Sequence, residues 1–248
     1  MIATLTIDRR PVLGTFTKAL PGAAALNYGT SGGAHCDTGC PYHPDSTSAQ
    51  AAPDAARCYA ATCERRHDRQ QLVAKLARHE SAGADAVTAQ ADTECRQRAY
   101  RLPWFRVSAF GSVPATPPAG LRQLLQRLID AGTPVHLPIE TARKANRYRR
   151  HLDGTGVAVR ESVATRRRWL TAPAACSLVA GSMQQRPAER VQAAKRAAQD
   201  RTAATGRRCI VCPAVAATHL RTGSKRAKCG ACTACADPAI DVVYPVHR

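Results

Sequence analysis

The sequence predicts an α/β fold, either a partial barrel of about six β/α units or an open parallel sheet, with a C-terminal Cys-rich metal knuckle. Three observations predict it. Strand-like and helix-like segments alternate from residue 68 onward. One of the helices, "GLRQLLQRLIDAG", is plainly amphipathic. Nine of the eleven cysteines gather in two clusters, one near each end of the chain.

Taken in order, a first strand is expected in "VLGTFTKAL" (12–20) or "AALNYG" (24–29). "DRQQLVAKLARHESAG" (68–83) reads as a helix stopped by Gly83, and "WFRVSAF" (104–110) as a strand followed by the turn "GSVPATPP". In 120–132, Leu121, Leu124, Leu125, Leu128 and Ile129 fall at i, i+3, i+4, i+7 and i+8, and Gly132 ends the helix. "VHLPIET" (135–141) is a strand despite Pro138, which has no N–H for a sheet ladder. A basic helix (142–152), the strand "VAVRESV" (157–163), a short helix through Trp169 and the strand "CSLVAG" (176–181) follow. A helix opened by Pro187 runs to about residue 204, before "CIVCPAV" (209–215) and "IDVVYPVH" (240–247). Strands separated by helices imply right-handed crossovers and a mainly parallel sheet, whose sites form beyond the carboxyl ends of the strands. Six units are too few to close an eight-unit barrel. The expected division is a β/α core over 1–208, with a Cys loop at 31–63, and a Cys-rich segment with the final strand over 209–248.

The late cluster is "CIVCPAVAATHLRTGSKRAKCGACTAC": Cys209-x2-Cys212, then Cys229-x2-Cys232-x2-Cys235. Paired CxxC units bring thiolates onto one ion, and four thiolates complete a tetrahedral zinc site. Five thiols leave one spare, Cys209 or Cys235, unless the centre is iron–sulfur. Zinc is the expected ion. The early cluster has Cys36, Cys40, Cys58 and Cys63 beside His35 and His43, a spacing that no standard zinc finger shows. Cys95 and Cys176 stand alone and are expected as buried small side chains.

The stretches "CDTGC", "RCYA", "FRVSAFGSVP", "CIVCPA", "CGACTAC" and "VVYPVH" resemble those of phage- and plasmid-type Cys-rich proteins with an early CYA box and a late CPA…CxxCxxC box. More distantly they resemble radical-SAM-type partial barrels. The resemblance implies a 4Fe–4S cluster on Cys36, Cys40 and Cys58, with S-adenosylmethionine bound near Gly111. Two departures stand against it. The compact Cx3CxxC of those enzymes is interrupted here, with His43 in the third position and Cys58 lying 18 residues past Cys40. The Gly-Gly-Glu-Pro-like turn that binds the methionine amine is Gly111-Ser112-Val113-Pro114 here, without its carboxylate. On sequence, iron–sulfur, zinc and no metal all stay open for the early cluster.

Charge points to a partner. The formal net charge is +18, with 11 Lys/Arg against 10 Asp/Glu in residues 1–100 and 25 against 8 in residues 101–248. So one-sided a field attracts polyanions, DNA or RNA first. Arg143, Arg147 and Arg150 share one helical face and are candidate phosphate contacts; a solvated face, or an Arg-rich codon bias, is the plain alternative. Glu140 and Glu161, at the predicted carboxyl ends of two strands, are candidate catalytic carboxylates, as a general base or a nucleophile. Salt bridges to nearby arginines are the competing role. His136 and His247 fit strand patterns and are expected to pack or cap. The absence of a Walker loop, GxGxxG, HExxH and GxSxG leaves kinase, ATPase, dinucleotide oxidoreductase and serine-hydrolase readings without support. No apolar run approaches the roughly 20 residues of a membrane span and no signal peptide is evident, so no membrane and a cytoplasmic location are expected.

These observations predict a metal-cluster β/α enzyme acting on nucleic acid or nucleotides, with base modification as a reaction that would suit it. The rivals are a non-catalytic zinc-stabilised nucleic-acid-binding protein and a transglycosylase-like enzyme using a rim carboxylate on a base.

Overall fold

The structure is a computed structural model, and it describes residues 11–15, 23–29, 70–98, 102–108, 112–163, 165–181, 184–213, 216 and 232–245. The early cluster (His35, Cys36, Cys40, His43, Cys58, Cys63), Gly111, Cys229 and His247 lie outside the described residues.

The described residues form one eight-stranded sheet with helices between most of its strands. In order these are β1 (Gly14–Thr15), β2 (Ala24–Leu26), α1 (Gln70–Ala82), α2 (Ala84–Gln97), β3 (Phe105–Val107), α3 (Leu121–Asp130), β4 (Val135–Ile139) and α4 (Ala142–His151). Then come β5 (Ala158–Val163), α5 (Arg166–Thr171), β6 (Cys176–Ala180), α6 (Pro187–Thr205), β7 (Arg208–Val211), a 3₁₀ turn (Ala234–Ala236) and β8 (Ile240–Pro245). The sheet order is β1-β2-β3-β4-β5-β6-β8-β7. The β1–β2 pair is antiparallel; the other seven strands form a parallel sheet that does not close.

Alternation along the strands separates two faces. Ala24, Leu26, Phe105, Val107, Val135, Leu137, Ile139 and Val159 join the main apolar core with Val87, Ala91 and Cys95 of α2, the four buried leucines of α3, and Ala145 and Tyr148 of α4. Farther along, Val163, Cys176, Leu178 and Val243 pack under Trp169 of α5 and Ala194 and Ala198 of α6. The helices α2 to α6 therefore cover one face, as a right-handed winding in one direction requires. The predicted alternation holds from β3 onward. Two features go beyond it: α2, which restarts directly after Gly83 (φ +83), and the place of β8 between β6 and β7.

That last placement matters for the second face. From β2 to β7 the chain advances along the sheet, but β7 to β8 steps back. A right-handed crossover in the reverse direction has to pass over the face opposite the helices. Its described part, 232–239, does lie there: Cys235 and Ala236 pack on Ala23 and Trp104, and Ala234 packs with Ile240 and Val242. Strands β7 and β8 both belong to the common sheet, with Cys209 inside β7.

The amino-terminal strand is tied down by polar contacts. Glu94 of α2 accepts from the N–H groups of Val12 and Leu13 at 2.6 and 3.0 Å, and Lys75 donates to the Leu13 carbonyl at 2.9 Å. No helix among the described residues is long and apolar enough to cross a membrane.

Candidate functional site

The face of the sheet opposite the helices mixes polar and apolar side chains. Strand alternation puts on it Arg106 and Ser108 from β3 and its end, His136 from β4, Arg160 and Ser162 from β5, Ser177 from β6, and Tyr244 from β8, beside Ala158, Ile240 and Val242. The returning segment 232–239 lies across this face and brings thiols onto it.

Strand alternation also sorts the late cysteines. Cys209 points to the helix face, where it packs with Val211 against α6, and burial pushes its thiol up to about 12. Cys212, three positions on, lies on the other side and shares an apolar cluster with Cys232, Cys235, Ala234, Ile240 and Tyr244. The Cys235 Sγ lies 3.1 Å from the Tyr244 hydroxyl, whose proton is held well above the usual phenol range by burial and then by Cys235. Two residues between a pair of cysteines suit a tight turn, but here Cys209 occupies a strand, and a strand sends the two side chains to opposite faces. Among the described residues no group of three His, Cys, Asp or Glu side chains stands ready to hold one ion. The donor chemistry of Cys212, Cys232 and Cys235 suits zinc or iron–sulfur; their present spacing is not that of a finished cage. Cys95 and Cys176 are buried on the helix side, and burial pushes each thiol up to about 12.

Arg160 pins the returning segment down. Its guanidinium is fully buried and donates to the carbonyls of Cys176 (3.0 Å), Ala234 (3.1 Å), Cys235 (3.3 Å), Asp237 (3.0 Å) and Ile240 (2.7 Å). Near it His136 is buried, and among the described residues its Nε2 has no hydrogen-bond partner. Burial, then Arg106 and Arg160, hold this imidazole well below its usual range, so it is neutral. The Trp104 Nε1 is likewise buried without a hydrogen-bond partner among the described residues. Nothing in the strand pattern "VAVRESV" announces a buried arginine, because alternation alone does not say that a loop covers the second face.

At the carboxyl ends of the strands, Ser108 takes a left-handed conformation (φ +58) while its N–H donates to the Leu26 carbonyl at 2.6 Å. A non-glycine residue in that region is uncommon and marks a tightly specified turn. The following loop is held by α4: Lys144 donates to the Val113 carbonyl, Tyr148 to Pro114 and Arg147 to Ala115, at 3.1, 3.0 and 2.7 Å. Lys144 also pairs with Glu140 one turn earlier.

The two expected carboxylates are both engaged. Glu140 is bound to buried Lys144. Glu161 points toward the helices, where Arg168 grips both its oxygens at 2.6 and 2.7 Å, with Arg149 at 3.9 Å. Of the three candidate phosphate-binding arginines on α4, Arg143 and Arg150 are exposed, whereas Arg147 is committed to the Ala115 carbonyl. One fully buried carboxylate that no motif in the sequence marks is Asp241, which binds Arg201 and Arg207 at 2.9 and 3.0 Å and the Cys176 N–H at 2.9 Å. No family model matches this chain, and neither the curated proteins nor the solved structures hold a significant match to it.

Proposed function

We propose that this protein is a metal–thiolate β/α protein acting on nucleic acid or nucleotides, the metal being zinc or an iron–sulfur cluster. The observation that supports it best is the grouping of Cys212, Cys232 and Cys235 on the open face of a single-wound parallel sheet. Three thiols in one apolar cluster, on a face that also carries arginine, histidine, serine and tyrosine, are soft donors of the kind that zinc and iron–sulfur clusters take. The early cysteines Cys36, Cys40 and Cys58 follow β2 in the chain, which is where the radical-SAM resemblance would put a 4Fe–4S cluster with S-adenosylmethionine. Such a cluster would supply one-electron chemistry. Nucleic acid is the partner that the charge favours, since residues 101–248 carry nearly all of the +18 excess.

A second reading, a zinc-stabilised nucleic-acid-binding protein without catalysis, draws support from the carboxylates. Base exchange through Glu140 or Glu161 calls for a free carboxylate, and both are occupied by cations.

Metal and acid-labile sulfide analysis after anaerobic purification, with a visible spectrum, tests the proposal. Brown protein whose sulfide is lost on Cys36→Ala or Cys58→Ala is expected for the iron–sulfur enzyme. Colourless protein with stoichiometric zinc selects the binding protein, and protein without metal overturns both. Affinity for duplex DNA and for RNA should fall linearly with salt on logarithmic axes, and a flat dependence removes the nucleic-acid partner.

A further inference from the structure

Beneath α4, α5 and α6 the carboxylates are taken up by inner cations: Glu140 by Lys144, Glu161 by Arg168 and Arg149, and Asp241 by Arg201 and Arg207. The outer surface of the same three helices is different. Arg143 and Arg150 on α4, Arg166 and Arg167 on α5, and Lys195 and Arg196 on α6 are all exposed. Among the described residues, only Arg166 of these six forms an ion pair, with Asp200 at 2.8 Å, and its side chain is still 74% exposed. Two further acids stand at the edges of this surface. Asp153 lies in the turn after α4, and Glu189 sits in the first turn of α6, where it accepts from the Arg186 N–H at 3.0 Å. Cations remain in excess.

Their spacing makes a surface rather than a point. Arg143 and Arg150 lie two turns apart, about 10 Å along the α4 axis. Helices α4, α5 and α6 follow β4, β5 and β6, which are neighbours in the sheet, so they lie side by side at about 8–10 Å. The Arg166–Asp200 pair sets the first turn of α5 beside the α6 turn after Arg196. Local helix stability does not account for these charges. An acid in the first turn suits the helix dipole, yet α4 and α5 have none there and carry Arg143, Arg166 and Arg167 instead. No stacking platform accompanies them. The described aromatic residues Tyr28, Trp104, Phe105, Tyr148 and Trp169 are buried, and Tyr244 is half-buried on the opposite face. Single strands are held largely by stacking bases on aromatic rings, whereas a duplex presents its phosphates outward.

We propose that the outer surface of α4, α5 and α6 docks the phosphate backbone of double-stranded nucleic acid. Arg143, Arg150, Arg167, Lys195 and Arg196 contact phosphate oxygens, and Arg166, held only by an exposed ion pair, joins them. The proposal rests on nucleic acid being the partner, and adds to it the docking surface and the duplex form.

The test uses the full chain with short labelled DNA and RNA duplexes and their separate strands, following fluorescence anisotropy across a salt series. A duplex should bind more tightly than its own strands. Arg166→Ala with Arg167→Ala, and separately Lys195→Ala with Arg196→Ala, should each lower the logarithmic salt slope by about 2. Arg96→Ala with Arg98→Ala removes as much charge from exposed positions at the end of α2, and should leave the slope unchanged. Circular dichroism reports folding, and the α6 pair keeps the test open if the α5 pair does not fold. If the parent chain binds no nucleic acid, the nucleic-acid reading itself fails. If it binds, but single strands bind as tightly as duplex, or the α5 and α6 pairs move the slope no more than the α2 pair does, this proposal fails alone.

Discussion

Asp241 accepts from Arg201, Arg207 and the Cys176 N–H at once, beneath α6 and out of water. Removing one partner of such a pair leaves the other charge buried and alone, so Asp241→Ala should cost about 3–5 kcal/mol in urea denaturation. Replacing the pair together, Arg201→Met with Asp241→Leu, should cost clearly less than the single change, because no fully buried ion is stranded and partly exposed Arg207 can turn to water. His136 gives the residue scale a pH dependence. Its folded form stays neutral, held low by burial and by Arg106 and Arg160. The unfolded chain takes up a proton near pH 6.5 and the folded chain does not. Stability is thus fully present above about pH 6.5 and falls as the pH drops below it. His79, lowered by its own burial, adds to the same limb. Urea midpoints at pH 7.5 and 5.5 should differ for the parent chain, and His136→Gln should narrow that difference.

Elements with a strong period or a clear cap are legible in the sequence, and the quieter ones are not. The helix 121–130 announces itself because four leucines fall on one stripe, and all four are buried. Leu124→Ala should therefore cost about 2–5 kcal/mol in the same denaturation assay, the range of large-to-small changes in a close-packed core. Helix α2 buries Val87, Thr88, Ala91 and Cys95, small or polar side chains that give little apolar contrast, and it begins one residue after a glycine that properly ends α1. Its signal is weak for a physical reason: close helix–sheet contact favours small residues. Helix α4 has a readable cap, since the Thr141 hydroxyl accepts from the Lys144 N–H. Thr141→Ala should cost about 1 kcal/mol, and it should loosen the 113–115 carbonyls that Lys144, Arg147 and Tyr148 hold. Chemical shifts of that loop would register the second effect.

For the whole molecule, charge and topology carry the consequences. Arg143 and Arg150 are exposed on α4, so Arg143→Ala with Arg150→Ala should reduce the logarithmic salt slope of nucleic-acid binding by about 2, near one for each phosphate left without its arginine. Arg147→Ala should instead disturb the loop at Ala115. Thiol spacing alone points to a metal-binding C-terminus, yet which cysteine faces away follows only from β7 being a strand. Likewise the later strands are readable in the sequence, but not that both early segments form strands, with β1 antiparallel, nor that the chain turns back before its final strand. That turn has a consequence for assembly. β8 comes later in the chain than β6 and β7, which flank it, and β7 pairs with no strand other than β8 among the described residues. Until residues 240–245 slide into the slot beside β6, β7 has no sheet to join, and α6 covers a gap. The slot is a lock that closes only when its last pin drops, so a chain cut before Ile240 should keep β2 to β6 and shed protection from amide exchange in α6 and β7 together.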